Sequence, residues 1–378
     1  MGLRVKINDS TWIDPKYSFV NVDSNMKSAT KIYSKSSESV WKLIWERYKK
    51  SLEYHGLATA ITNARTYIAS ANVGDYLLFA GGKNGSGKFN TVNSYNSSLT
   101  KGTATVLSTA VDYDGNSGGG SIGDYALFAG GATASSFVTT VNTYNKSLTK
   151  STATDLSKAR NKAIGANVGN YLLFAGGNNN GTVQNTVDAY NTSLSRSTPT
   201  TLSYSAQYVA GGSIGNYALF AGGHNGSTRY NTVNAYNTSL TRSTPTTLSV
   251  ARSYLKAAKA GEYLIFAGGY NGSRLDTVES YNESLTMTIL PVLPYGRNCM
   301  GATSVDEYAI FAGGIDTSLA IIDDVIIYDA SLTRTESSLS APSCWACGGS
   351  IGDYALFAGG ETTGDSYLSK VEVFEVKK

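Results

Sequence analysis

The 378-residue chain is too long for one ordinary hydrophobic core, so it implies either several domains or one domain extended by repetition. Only 16% of its residues are charged while Gly (40) and Tyr (26) abound, a composition of short strands and polar turns rather than of helices. The net charge of +3 gathers in residues 1 to 54, with ten Lys and Arg against six Asp and Glu; the remainder holds 21 against 22 and offers no basic patch for a phosphate backbone.

Nucleic acid is therefore not an expected partner. The opening MGLRVKINDS lacks the apolar core of a signal peptide, and no later stretch reaches the roughly 18 apolar residues of a membrane span. A soluble protein made without a cleaved export signal is the expectation. Three cysteines make no disulfide framework, which fits a reducing compartment.

In chain order, residues 1–54 come first as a separate module, with three of the four tryptophans, Trp12, Trp41 and Trp45. RVKINDSTWI reads as a hairpin about Asn8-Asp9. The second half is open: Trp41, Ile44, Trp45, Tyr48 and Leu52 would make one helical stripe, yet VWKLIW reads equally well as a strand. So short a segment cannot bury three tryptophans alone, so it is expected to dock on an assembly partner, a second copy or the rest of the chain. Anchoring to a partner is the favoured reading. RVKINDSTW and KIYSKSSESVWK resemble the short Lys- and Trp-bearing segments that open structural proteins of tailed phages and prophages of Gram-positive hosts.

Residues 55–378 are built from a repeat. YLLFAGG at Tyr76 returns with small changes at Tyr125, Tyr171, Tyr217, Tyr263, Tyr308 and Tyr354, and the first glycines of the doublets are spaced by 49, 46, 46, 46, 45 and 46 residues. Such a period belongs to propeller blades. The YxxF run is expected to be a strand with both faces dry, closed by glycines that permit φ > 0 and close backbone approach. Small-residue segments such as AIGANVG precede it as strand a, the innermost; a strand ending in Tyr95, Tyr144, Tyr190, Tyr236, Tyr281, Tyr328 or Phe374 follows as strand c. TATVLS, TATDLS and TPTTLS read as the outer strand d, with Pro199 and Pro245 near its start marking a sheet edge. The last unit stops after strand c, and LATAIT (57–62) matches strand d. The N-terminal strand is thus expected to complete the seventh blade.

The Gly doublet, the later Tyr and the Arg 16 residues before the doublet (Arg65, Arg160, Arg252, Arg297) resemble the kelch repeat; Asp114, Ala206 and Ser343 depart from it. The kelch Trp is missing, and Leu99, Leu148, Leu194, Leu240, Leu285 and Leu332 are expected to take over its packing. The resemblance implies an all-β, seven-bladed kelch-type propeller.

Functional loops of such a fold emerge where d passes to a and b to c. Fourteen residues before the doublet stand Tyr67, Asn116, Lys162, Tyr208, Tyr254, Cys299 and Trp345, and just after it Lys83, Ala132, Asn178, His224, Tyr270, Ile315 and Glu361. The expected ligand-binding set is Tyr67, Tyr208, Tyr254, Trp345, His224 and Tyr270 with Arg65, Arg252 and Arg297, suited to stacking on sugars; packing of those rings on neighbouring loops is the competing reading. Catalysis lacks parts. A galactose-oxidase-like copper site needs two histidines, and of His55 and His224 one lies outside the repeats. Cys344 and Cys347, three apart on a strand, point to opposite faces and pinch no metal. No cofactor or metal is expected. The reading is a non-enzymatic protein displaying a face to a surface glycan or protein, held through residues 1–54 in a phage or prophage virion made in the host cytoplasm. The alternatives are a cytoplasmic kelch adaptor and, less favoured, an oxidase-like enzyme.

Overall fold

The computed structural model describes residues 3–8, 11–13, 31–37, 40–46, 50–115, 118–364 and 366–377. They fall into two compact units, one within residues 1–51 and one spanning Leu52–Val376. The first carries a four-stranded antiparallel sheet in the order Thr11–Ile13, Leu3–Asn8, Lys31–Ser37, Val40–Glu46. VWKLIWE is a strand, not the alternative helix, because its β-branched and aromatic residues pair along KIYSKSS with register breaks at Ile32/Tyr33 and Lys35/Ser37. Trp12 stands on the edge strand and Trp41 and Trp45 on the opposite one; the side chains that would anchor lie outside the described residues.

The second unit is a ring of seven four-stranded antiparallel blades, a β-propeller. Blade 4 shows the plan: strand a (Ala210–Ile214), b (Tyr217–Ala221), c (Val233–Asn237) and d (Arg242–Ser243). The innermost strands of the other blades are Ala69–Val73, Gly119–Ile122, Ile164–Val168, Lys256–Ala260, Gly301–Val305 and Cys347–Ile351. Their smallness is enforced by backbone approach: a Cβ on Gly119 would lie 2.1 Å from the Ser70 carbonyl oxygen, and one on Gly348 2.3 Å from that of Ala302. Every strand b buries the four residues after its first, as a strand between two neighbouring blades must. Strand c stitches blades together, because Tyr236 Oη donates to the Thr200 carbonyl of the preceding blade's outer loop at 2.8 Å and five other strand-c tyrosines do the same.

The glycine doublet does what its composition demands. Gly222 sits at φ +69°, and a Cβ there would lie 2.5 Å from the Arg252 carbonyl of the next blade. Gly222→Ala therefore combines a left-handed alanine with a clash against fixed backbone. It is expected to lower stability by at least about 2 kcal/mol in urea unfolding, while Gly226→Ala, at φ +110° with open space around its Cβ, costs less.

Strand d differs from expectation. It lies about two residues upstream of the TATDLS-type segments, at Lys150–Thr152 and Arg196–Ser197, so Pro199 and Pro245 follow the strand instead of opening it. The segments themselves are the turn out of the blade, and their leucines (Leu107, Leu156, Leu202, Leu248) plug the space beneath. The same offset moves the closing strand: Ser51–Ala58, not residues 57–62, lies beside Val371–Lys377, while Ile61 takes the plug position. Leu99 and its five counterparts turn strand c into d with φ near +60° and pack partly buried against the core, after an Asn whose side-chain oxygen accepts from the next backbone N–H groups. In blade 6 Asp329 replaces that Asn, so the turn uses the acceptor oxygen and not the amide.

Candidate functional site

At one end of the ring the d–a and b–c connections of each blade are joined by paired backbone hydrogen bonds, Gln207 with His224 and Ser253 with Tyr270 among them. This ladder thrusts the following residue toward the axis in a left-handed conformation: Tyr67, Lys162, Tyr208, Tyr254, Cys299 and Trp345 all have φ of 53° to 59°. Six non-glycine residues held in that region mark a strained, repeated display. The seventh member is Tyr113, whose N–H bonds the Tyr67 carbonyl at 2.9 Å. Counting back from the doublet selects Asn116 instead, which lies outside the described residues, because blade 2 carries three additional residues after Tyr113.

Those additional residues alter the site. Asp114 and Gly115 reach across to three other blades: Lys162 Nζ lies 3.3 Å from Asp114 Oδ2, Tyr208 Oη donates to the same oxygen at 3.0 Å, and Lys256 Nζ donates to the Gly115 carbonyl at 2.8 Å. Burial and the Asp114 carboxylate together push the Tyr208 hydroxyl well above its ordinary range, so it stays a donor.

The aromatic set converges as one cluster rather than an open ring. Tyr208 and Tyr254 lie 4.0 Å apart between ring centroids, Tyr254 meets the edge of Trp345 at 6.0 Å, and Tyr67 meets Trp345 at 5.3 Å. His224 stacks on Tyr208 at 5.7 Å, its Nδ1 accepts from the Gly226 N–H, and burial lowers its affinity for a proton. Tyr270 stands beside this cluster under the Arg229 guanidinium. Trp345 is buried and forms wall, whereas Tyr67, Tyr208, Tyr254, His224 and Tyr270 are half-buried.

Arg65, Arg252 and Arg297 do not belong to the site. All three have no exposed surface. Arg252 pairs with Glu279 of strand c, Arg65 donates to Asn93 Oδ1, and Arg297 donates to the Asp324 and Gly313 carbonyls. A guanidinium sealed between strands is packing, and the distance of the arginines from the doublet reports blade geometry.

Beneath the cluster lies an axial cavity of about 190 Å³. All seven innermost strands contribute to its wall, through residues such as Ser70, Gly119, Gly211, Ala302 and Gly348, and Asp114, Gly115, Tyr208, Tyr254 and Trp345 close over it. This is room for on the order of a dozen water molecules. Lys256 lines it, a residue the repeat pattern does not flag by itself; its signal in the sequence is a lysine opening a strand where other blades have Ala69, Ile164, Ala210, Gly301 and Cys347. The two cysteines of CWAC part company, Cys344 in the aromatic cluster and Cys347 in a blade core, and burial raises their thiols to about 12 and about 11. Among the described residues no helix is long and apolar enough to cross a membrane.

No protein-family model matches the chain, and no curated protein matches it either. Among solved structures it is similar to one titled "Structure of YjhT", with a TM-score of 0.58 and 12% identity over 74% of this chain and 99% of that one. At that identity the likeness speaks for the fold alone, and with the strand order it identifies the chain as a seven-bladed β-propeller.

Proposed function

We propose that this chain is a non-enzymatic recognition protein: a kelch-type propeller that takes a carbohydrate at its axial face and is carried by its N-terminal sheet on a larger assembly. The most concrete assembly is a phage or prophage tail or head fibre, which places the protein in the virion. The observation that carries the binding is the axial cavity, kept open by glycine and alanine in the innermost strands and walled by Tyr208, Tyr254 and Trp345. A sugar presents an apolar ring face and a crown of hydroxyls, and the cavity offers aromatic carbon with a few oriented polar groups to match. His224, the histidine of this face, is stacked and already engaged as an acceptor, which suits packing better than proton transfer. The virion placement is supported by RVKINDSTW and KIYSKSSESVWK, whose Lys- and Trp-bearing pattern resembles phage structural proteins.

A glycan array probed with the full chain tests the binding. Tyr254→Ala, which removes a half-buried ring from the cavity wall, is expected to reduce retention on the bound glycans by at least about tenfold and to shift the melting temperature by only a few degrees. Unchanged binding by this variant would move the ligand off the axis. Mass spectrometry of purified particles tests the virion placement, which falls if the chain is found only in the host cytoplasm.

A further inference from the structure

Lys256 breaks the rule of its own position. The first residue of strand a is small or apolar in the blades where it aligns, as Ala69, Ala210, Gly301 and Cys347 show, and none of those carries a charge near neutral pH. In blade 5 the repeat instead places a primary amine in the cavity wall. Its hydrogen bond to the Gly115 carbonyl engages one of its three N–H donors, and the ammonium stands over the face of Trp345 at 6.0 Å.

The charges around it do not balance. Of the two lysines at the cavity, Lys162 is matched by the Asp114 carboxylate and bonded to Gln207 Oε1, and Asp114 also accepts from Tyr208. Among the described residues no carboxylate lies within ion-pair distance of Lys256. The thiols of Cys299 and Cys347, which also feel Lys256, are pushed up by burial and supply no negative charge near neutral pH. Among the described residues that line the cavity, Lys162, Lys256 and Asp114 leave one positive charge in excess. An ammonium surrounded by small residues is costly until an anion reaches it, and burial accordingly favours its neutral form.

We infer that the axial cavity binds a molecule bearing a single carboxylate, with the Lys256 ammonium as its counter-charge. The inference rests on the proposed function for where the ligand sits, but not for the kind of molecule that carries the carboxylate. One charge is favoured over two because a phosphate dianion would bring its second charge against Asp114.

Titration calorimetry on the full chain with matched probes tests it: D-galacturonate against D-galactose, lactate against lactamide, and inorganic phosphate. Each acid is expected to bind roughly tenfold or more tightly than its neutral counterpart, the effect of one charge-assisted contact. Lys256→Met is expected to erase that preference, each acid falling to within about twofold of its neutral counterpart; if it fails to fold, Lys256→Gln serves. Equal affinities for acid and neutral probe overturn the inference, as does a preference that survives in the variant, phosphate binding tighter than both acids, or no binding of any probe. The two readings separate cleanly. Lysine-dependent binding of lactate without any sugar keeps the carboxylate and removes the carbohydrate, whereas galactose binding as well as galacturonate does the reverse.

Discussion

Removing residues 1–58 is expected to lower the unfolding midpoint by about 12 °C, while removing residues 1–50 leaves it within about 3 °C of the full chain. The ring closes between its own ends: Ser51–Ala58 is the fourth strand of the blade whose other three come from the C-terminus. An eight-residue strand contributes about six backbone hydrogen bonds at roughly 1 kcal/mol each, and a chain of this size loses about 2 °C per kcal/mol. Side chains add to the clasp. Tyr54 Oη donates to Glu372 Oε2 at 2.6 Å, its ring meets Phe374 edge-on at 5.4 Å, and His55 Nδ1 lies 2.8 Å from Glu375 Oε2. Phe374 is where this blade lacks the stitching tyrosine hydroxyl of the other six, so the closing strand supplies the polar contact from the opposite side. A shortened chain missing residues 1–58 should also regain part of its stability when a peptide of residues 50–60 is added, because the vacated edge is a template for one strand. Identical midpoints for the two truncations would show that closure by the N-terminal strand does not hold the ring.

How much of this was legible depended on whether a residue repeats. The glycine doublet, the dry strand b and the closing of the ring follow from the period, because seven copies average out local accidents. Departures from the period were harder to read. Three additional residues in blade 2 displaced the count from Tyr113 to Asn116 and hid Asp114, which couples three blades at the axis. Lys256 is inconspicuous because lysine in a strand is usually a solvated face, and only alignment with the small residues of the other blades exposes it. The outer strand lies two residues earlier than its pattern suggests, because TATDLS and TPTTLS look like edge strands whereas their leucines are anchors for the turn. VWKLIW carried both periods at once, and pairing with KIYSKSS, a contact between distant residues, decided it. The arginines mislead for a physical reason. A cation near a loop face suggests ligand, but burial depends on side-chain direction, which spacing alone does not reveal.

Arg252→Ala is expected to cost about 3–5 kcal/mol in urea unfolding, and Arg252→Ala with Glu279→Asn to recover most of that loss. Arg252 and Glu279 have no exposed surface and pair through Nη2 and Oε2, so removing the cation alone strands a carboxylate in the blade interior. The other Glu279 oxygen accepts from the Ser249 N–H at 2.7 Å, pinning the turn out of blade 4 to strand c of blade 5. That second bond needs an acceptor but no charge. Blade 4 shows this in the same chain: Ala206 stands where the Arg would be, Asn234 stands where the acid would be, and the Ser203 N–H still reaches Asn234 Oδ1 at 2.9 Å. Blade 2 repeats the arrangement with Val111, Asn142 and the Ser108 N–H. In blade 7 Ser343 replaces the Arg while Glu372 remains, and its carboxylate is held instead by Tyr54 and Ser340. Where the buried acid is present something compensates it, and blades 1, 2 and 4 carry the neutral acceptor Asn in its place. Transplanting the blade 4 pair into blade 5 should consequently be tolerated, as should Glu279→Asn alone, because Arg65 already donates to Asn93 in blade 1, whereas Arg252→Ala alone is not. If Arg252→Ala proves neutral by itself, the ion pair contributes nothing and the turn bond alone orders the interface; if the double variant is as unstable as the single one, the arginine stabilises the blade by filling space and not by its charge.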